Sequence, residues 1–316
     1  MARRLYRRSV AMGQIAVPAV PSLIDEYVKM CNNLFASVGV QYSPEEFAQL
    51  KTVLESQLAE AYRTSSRSNI VISFHAPFGT AVNYRVNVES VTIAGAYDGW
   101  VATREGSLFG IEPDARVSVL AGETADPGSF RVLDIGAGTG RNALALARRG
   151  HPVDAVEIAP KLAHIIRSES ERESLDVRVI ERDVFATLDD VRCDYQLIVA
   201  SEVAPDFRTT QQLGGMFELA AHCLAPGGRL LFNAFVPRQG YVPDNAAREL
   251  GQQCNTMIFT WEEMTSAADK LPLELVAEGA WPPTAWFANW ASGLDLFDVE
   301  REESPIDLRW LVYQKA

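Results

Sequence analysis

The chain has 316 residues, 47% of them hydrophobic and 22% charged, with a formal net charge of −12. That length admits one large domain or two modest ones, with enough chain to bury a sizeable core. The acidic balance opposes nonspecific attraction to nucleic acid or anionic membranes, which needs clustered Lys and Arg. The expected partner is therefore a small molecule, with no nucleic acid and no membrane.

Cys31, Cys193, Cys223 and Cys254 lie far apart and form no C-x-x-C pair. They read as free thiols of a reduced, cytoplasmic chain. His75, His151, His164 and His222 are equally scattered, so spacing implies no metal. No apolar run reaches the roughly 18 residues a membrane helix needs. The start MARRLYRRSV is basic, and AMGQIAVPAVP after it is too weak a hydrophobic block for a signal peptide. Residues 1–20 are read as a flexible basic tail.

From Pro21 the pattern turns helical. Ile24, Tyr27, Val28, Cys31, Leu34, Phe35 and Val38 make one apolar stripe that stops at Gly39. Ser43, Pro44 and Glu46 open a second helix as N-cap, first helical position and capping-box partner. Its buried face is Phe47, Leu50, Val53, Leu54, Leu58 and Ala61. The period then changes to two. Ile70, Ile72 and Phe74 alternate, as do Val82, Tyr84, Val86 and Val88, which predicts an antiparallel hairpin. Residues 96–110 carry Tyr97, Trp100 and Phe109 toward the linker AGETADPGS at 121–129. Residues 21–125 are therefore expected to form an N-terminal α+β lid or substrate domain. A docking surface is the alternative, and it leaves a homodimer open.

Residues 131–142, RVLDIGAGTGRN, read as a buried strand, a glycine turn and the start of a helix. Glycines at 136, 138 and 140 let the backbone turn and approach a ligand closely, which is a nucleotide cradle at the carboxyl edge of a parallel sheet. Arg141 stands where the dinucleotide fingerprint wants its third glycine, which disfavours an NAD-dependent oxidoreductase. A pyrophosphate gains nothing from Asp134 beside the first glycine, whereas S-adenosylmethionine carries an ammonium and a sulfonium. The stretch resembles motif I of the class I methyltransferases. The longer run GTGRNALALARRGHPVDAVE is similar to the small-molecule branch that includes tellurite-resistance methyltransferases.

That resemblance implies a Rossmann-like, doubly wound α/β fold, with a seven-stranded sheet whose last strand is antiparallel. It would occupy residues 126–316, with inserts at 240–255 and 281–304. Val153, Ala155 and Val156 make a second strand ending at Glu157, about twenty positions past the first glycine, where an acid takes the two ribose hydroxyls. Val177, Val179 and Ile180 make a third strand. Asp183 after it would accept the adenine amino group, with Val184 against the ring; a helix N-cap role for Asp183 can coexist with this. The resemblance also places Ala137, Asn142, Ile158 and Ser201 along the cofactor.

The fourth strand, 195–200, leads into Ser201–Glu202–Val203–Ala204–Pro205–Asp206–Phe207, which the sheet-switch rule turns toward donor and acceptor. Glu202 is the best-placed general base and Asp206 the second, each with the alternative of a solvated loop acid. The Asn/Asp-Pro-Pro-aromatic motif of DNA-amine methyltransferases is absent. The string LAPGGRLLFNAF resembles the family's turn before strand five. Gly240 to Gln253 looks like a lid helix, and Thr260 with Glu263 caps another. Residues 273–279 and 306–313 are expected as strands six and seven. Between them Trp281, Trp286 and Trp290 form a substrate wall or a hydrophobic plug. Tyr97, Trp100 and Trp286 are the candidate acceptor contacts. Two other functions stay open: a divalent-metal O-methyltransferase with Glu202, Asp206 and Asn233 as ligands, and a noncatalytic cofactor-binding partner or sensor.

Overall fold

The computed structural model describes residues 10–77, 82–103, 109–280 and 304–316. The chain divides into two compact units, Met1–Ile93 with Asp244–Gln253, and Ala94–Pro243 with Cys254–Ala316.

In the first unit β1 (Ala11–Pro18) is followed by α1 (Ile24–Ser37), α2 (Pro44–Thr64), β2 (Asn69–Ala76) and β3 (Asn83–Glu89). Both helices fall where the apolar stripes put them. The Ser43 side chain accepts from the Glu46 N–H and the Glu46 carboxylate from the Ser43 N–H, with Pro44 in the first turn. The β2–β3 hairpin forms as expected, Ile70 facing Val88 and Ile72 facing Val86. Cys31, Phe35, Leu50, Leu54 and Leu58 fill the core against Ile70 and Ile72.

Two expectations about this region differ from the structure. Residues 11–18 are not tail: β1 pairs antiparallel with β2 from Ala11 opposite Ala76 to Pro18 opposite Asn69. Gly13 interrupts the apolar alternation of Ala11, Ile15 and Val17, and the Phe74 ring occupies its place. A Cβ on Gly13 would lie 2.8 Å from Phe74 Cζ. The helix Asn245–Gln253, expected as an insert of the 126–316 domain, is part of the first unit. There the Ser22 N–H donates to Glu249 Oε2 at 2.8 Å, Gln253 Nε2 to the Ser68 carbonyl at 2.8 Å, and Arg67 Nη1 to the Gln253 carbonyl at 3.1 Å.

The second unit begins earlier than the expected boundary at 125. Its elements are α3 (Ile93–Thr103), α4 (Ala115–Ala121), β4 (Val132–Ile135), α5 (Arg141–Arg148), β5 (Val153–Glu157), α6 (Pro160–Glu173), β6 (Val177–Glu181), β7 (Tyr195–Ala200), α7 (Thr210–Cys223) and β8 (Leu224–Pro237). After α8, the Asn245–Gln253 helix of the first unit, come α9 (Trp261–Ala268), β9 (Leu273–Ala280) and β10 (Ile306–Lys315). Helix α3 belongs here because Asp98 Oδ1 accepts the Lys161 N–H at the start of α6. Its rings Tyr97 and Trp100, with Phe109, pack on Ala159 and Leu162.

The sheet order is β6-β5-β4-β7-β8-β10-β9. Strands β4 to β8 pair in parallel, and β10 runs antiparallel to β8 and β9. This is the expected seven-stranded Rossmann-like sheet with its last strand reversed. The inner strands of a parallel sheet are covered on both faces, and β4 and β5 are buried throughout. Phe217 stands edge-on to Phe232 and Tyr313 at ring distances of 5.7 and 4.8 Å in the core. Pairing skips from Leu224 to Arg229 along β7, so Pro226–Gly228 forms a bulge inside β8 rather than a turn before it. Order reverses between β4 and β7, which puts a ligand crevice at the carboxyl ends of the parallel strands. Among the described residues no helix is long and apolar enough to cross a membrane. Trp281, Trp286 and Trp290 lie outside the described residues.

Candidate active site

The loop Gly136–Gly140 joins β4 to α5. Ala137 N donates to the Val156 carbonyl at 3.1 Å and Gly140 N to the Ala137 carbonyl at 2.8 Å. Gly136 has φ +63°, and a Cβ there would lie 2.5 Å from Val203 Cγ2. Gly138 has φ +59°, and a Cβ there would stand 3.1 Å from the Phe109 ring. Neither position accepts a side chain without strain. Gly140 is the left-handed N-cap of α5.

Glu157 is buried at the end of β5. Its Oε2 accepts the Gly138 N–H at 2.8 Å and its Oε1 the Ala159 N–H at 2.8 Å. Burial pushes its carboxyl up to about 6, opposed by the backbone N–H groups of Ala159, Gly138 and Ile158. A carboxylate offers about four lone-pair sites, so two such bonds leave acceptor capacity for a vicinal diol. Ile158 beside it keeps 37% of its surface exposed. At the end of the adjoining β6, Asp183 Oδ1 accepts the Phe185 N–H at 3.0 Å and caps the short turn Val184–Ala186. Phe185, which the sequence reading passed over, leans on Phe207 at a ring distance of 5.4 Å.

Asp134 is buried at the end of β4, and its Oδ2 finds no hydrogen-bond partner. Burial pushes it up to about 7, helped by the charge of Asp114 and opposed by Arg141 and the Ala143 N–H. A buried carboxylate oxygen with no donor is costly, and an ammonium supplies one. Asp114 was not among the sequence candidates, yet it is the hub of this edge. Its Oδ2 accepts from Arg141 Nη2 at 3.0 Å, Asn142 Nδ2 at 3.0 Å and Ser201 Oγ at 2.7 Å. Asn142 Oδ1 accepts the Asp114 N–H at 2.9 Å. Asn142 and Ser201, expected along the cofactor, therefore both turn their side chains to Asp114.

Glu202 follows β7 with φ +64°, a conformation that side-chain-bearing residues hold only when their surroundings enforce it. Its N–H donates to Asn233 Oδ1 at 2.6 Å, and its Oε1 accepts from Arg141 Nη2 at 3.0 Å. Burial pushes the Glu202 carboxyl up to about 8; Arg141 opposes this, while Asp114 and Asp206 add to it. Asp206 has a different setting. It accepts from the Tyr97 hydroxyl at 2.5 Å and from Asn255 Nδ2 at 2.7 Å, so it fastens α3 to the loop after β7. Trp100 meets Tyr97 edge-on at 5.3 Å, which brings both expected rings to this edge. Of the three residues named as metal ligands in the alternative reading, Glu202 accepts from Arg141 through Oε1, Asp206 from Tyr97 and Asn255, and Asn233 Oδ1 from the Glu202 N–H. Among the described residues no group of three or more His, Cys, Asp or Glu side chains suits a metal ion.

Residues 132–228 match the family model described as a methyltransferase domain. The demethylmenaquinone methyltransferase of Tropheryma whipplei (strain Twist) is 32% identical over 129 residues, 40% of this chain and 48% of that protein. The chain thus spans about half the length of the curated relatives it matches. The geranyl diphosphate C-methyltransferase of Streptomyces coelicolor A3(2) has a similar fold, with a TM-score of 0.52 at 16% identity over 64% of this chain and 80% of that one. A sarcosine dimethylglycine methyltransferase of Galdieria sulphuraria, so titled provisionally, gives 0.50 at 17% identity over 64% and 85%. The [4+2]-cyclase SpnF gives 0.50 at 16% identity over 63% and 79%.

Proposed function

We propose that this chain, whose residues 132–228 match the model of a methyltransferase domain, transfers a methyl group from S-adenosylmethionine to a small-molecule acceptor. The observation that carries the reading is the buried Glu157 carboxylate, tied to the Gly138 N–H at 2.8 Å, one strand over from an unpartnered Asp134 oxygen. One acid suits a ribose diol and the other an ammonium, and the glycine loop between them has no room for a Cβ. Asp183, Val184 and Ile158 would border the adenine, and Gly136, Ala137 and Gly140 the rest of the cofactor.

When bound, S-adenosylmethionine supplies a methyl group already activated on a sulfonium. The protein's part is to hold the acceptor in line with that methyl and to exclude water. Orientation of this kind lowers barriers by up to roughly 7–11 kcal/mol in well-aligned intramolecular systems. Glu202 takes the acceptor's proton at Oε2, the oxygen not held by Arg141, which adds roughly 10²–10⁴-fold for a hydroxyl or ammonium nucleophile. Asp206 anchors Tyr97 beside the acceptor position, and Tyr97 and Trp100 supply its aromatic walls. Trp286 remains a candidate wall residue from outside the described segments.

The test incubates the protein with isotopically labelled S-adenosylmethionine and a metabolite extract. A labelled product heavier by one CH₂, lost in Glu202→Gln, is expected. Tight S-adenosylhomocysteine binding without any transfer would replace the enzyme by a cofactor-binding partner or sensor.

A further inference from the structure

We propose that Arg141 and Asp114 form a charge clamp that positions the Glu202 carboxyl, with Arg141 as the positioning residue. The inference rests on the reading of Glu202 as the base.

One guanidinium nitrogen, Arg141 Nη2, lies 3.0 Å from Asp114 Oδ2 and 3.0 Å from Glu202 Oε1. The three side chains are 14%, 7% and 18% exposed in that order, so water screens them little. The Asp114 end is fixed, because Asn142 Nδ2 and Ser201 Oγ hold the same oxygen. The Glu202 main chain is fixed as well, because Asn233 holds its N–H. Arg141 is the link between the two.

The chemistry of the link is competitive. Arginine stays protonated at any pH the protein meets, so the clamp sets one permanent positive charge between two carboxyl groups. The charged groups facing Glu202 are Arg141 from α5, Asp114 from the segment ahead of α4, and Asp206 from its own loop. Arg141 favours the charged carboxylate, while Asp114 both repels it and takes up part of the guanidinium. Removing Arg141 and removing the Asp114 charge must therefore move the Glu202 titration in opposite directions. A purely structural role for either residue gives no such pair of signs.

The experiment follows the Glu202 carboxyl by carbon NMR of protein labelled at the glutamate carboxyl carbon, with Glu202→Gln assigning its signal. Arg141→Gln should raise the titration midpoint by at least one pH unit, and Asp114→Asn should lower it. Arg141→Lys, which keeps the charge without the fork, should fall between wild type and Arg141→Gln and stands in if that variant does not fold. Shifts of the same sign in Arg141→Gln and Asp114→Asn, or no shift in either, overturn the clamp. The base reading fails separately, if Glu202→Gln still forms the labelled product while the opposite shifts are present.

Discussion

Replacing Glu157 by alanine removes an acceptor that holds the fold and, in the proposed function, the cofactor as well. Its two oxygens each hold one backbone N–H at 2.8 Å and keep acceptor capacity toward a diol. Hydrogen bonds to a charged group contribute about 1.5–3 kcal/mol each, so two ribose bonds amount to about 3–6 kcal/mol. At about 1.4 kcal/mol per factor of ten, Glu157→Ala should weaken S-adenosylhomocysteine binding by roughly 10²–10⁴-fold. The stranded Gly138 and Ala159 N–H groups should lower stability as well, by about 1–3 kcal/mol each where they stay dry. Glu157→Gln keeps one carbonyl oxygen and should fall between wild type and alanine on both counts. Isothermal titration calorimetry gives the affinities, and thermal melting shows that each variant is folded at the temperature used. Because burial pushes the Glu157 carboxyl up to about 6, wild-type affinity should also decline as pH drops through that value, where the diol acceptor gains a proton. A folded Glu157→Ala protein that binds within about fivefold of wild type would refute the placement of the ribose.

Two further outcomes concern stability. Gly136→Ala sets a methyl 2.5 Å from Val203 Cγ2 at φ +63°, combining left-handed strain of about 1–2 kcal/mol with an overpacking cost of about 1–3 kcal/mol. In urea denaturation Val203→Ala should relieve the overpacking part of that loss but not the backbone part, and strictly additive variants would contradict the contact. Separately, Glu202 and Asp134 are pushed up to about 8 and about 7 from ordinary values of 4.5 and 3.8. The folded protein therefore keeps protons that the unfolded chain releases. These two groups contribute full stability below about pH 4 and lose it as pH rises toward 8, by at most about 1.4 kcal/mol per pH unit each. Melting curves from pH 5 to 8 should flatten in Glu202→Gln, and an unchanged slope would remove Glu202 from the buried set.

The parts of the candidate site whose local structure follows from short-range pattern were legible in the sequence. Strand, glycine loop and helix follow one another within residues 131–149, and Glu157 and Asp183 end the next two strands in register. Strand alternation and capping boxes are short-range signals, so α1, α2, β2 and β3 were legible too. Asp114 was not, because its partners Arg141, Asn142 and Ser201 stand 27, 28 and 87 positions away, and an acid in a polar loop looks the same whether solvated or clamped. β1 was hidden by Gly13, whose missing side chain is replaced by the ring of Phe74. The helix Asn245–Gln253 was recognisable as a helix, but its membership in the first unit depends on Ser22, Arg67 and Ser68, about two hundred positions earlier in the chain.

That membership constrains how the protein can be made. The chain passes between its two units at Ile93/Ala94, Pro243/Asp244 and Gln253/Cys254, so the first unit is not a detachable amino-terminal cassette. During synthesis the ribosome delivers β4, β5, β6, β7 and β8 before the helix that accepts the Ser22 N–H and donates to the Ser68 carbonyl. Nascent domains that are continuous in sequence fold one after another from the amino terminus; here the first unit stays incomplete while most of the seven-stranded sheet emerges. A fragment stopping short of Asp244 leaves those groups without partners. A transplant of the 1–93 segment onto another protein would need the 244–253 excursion to travel with it.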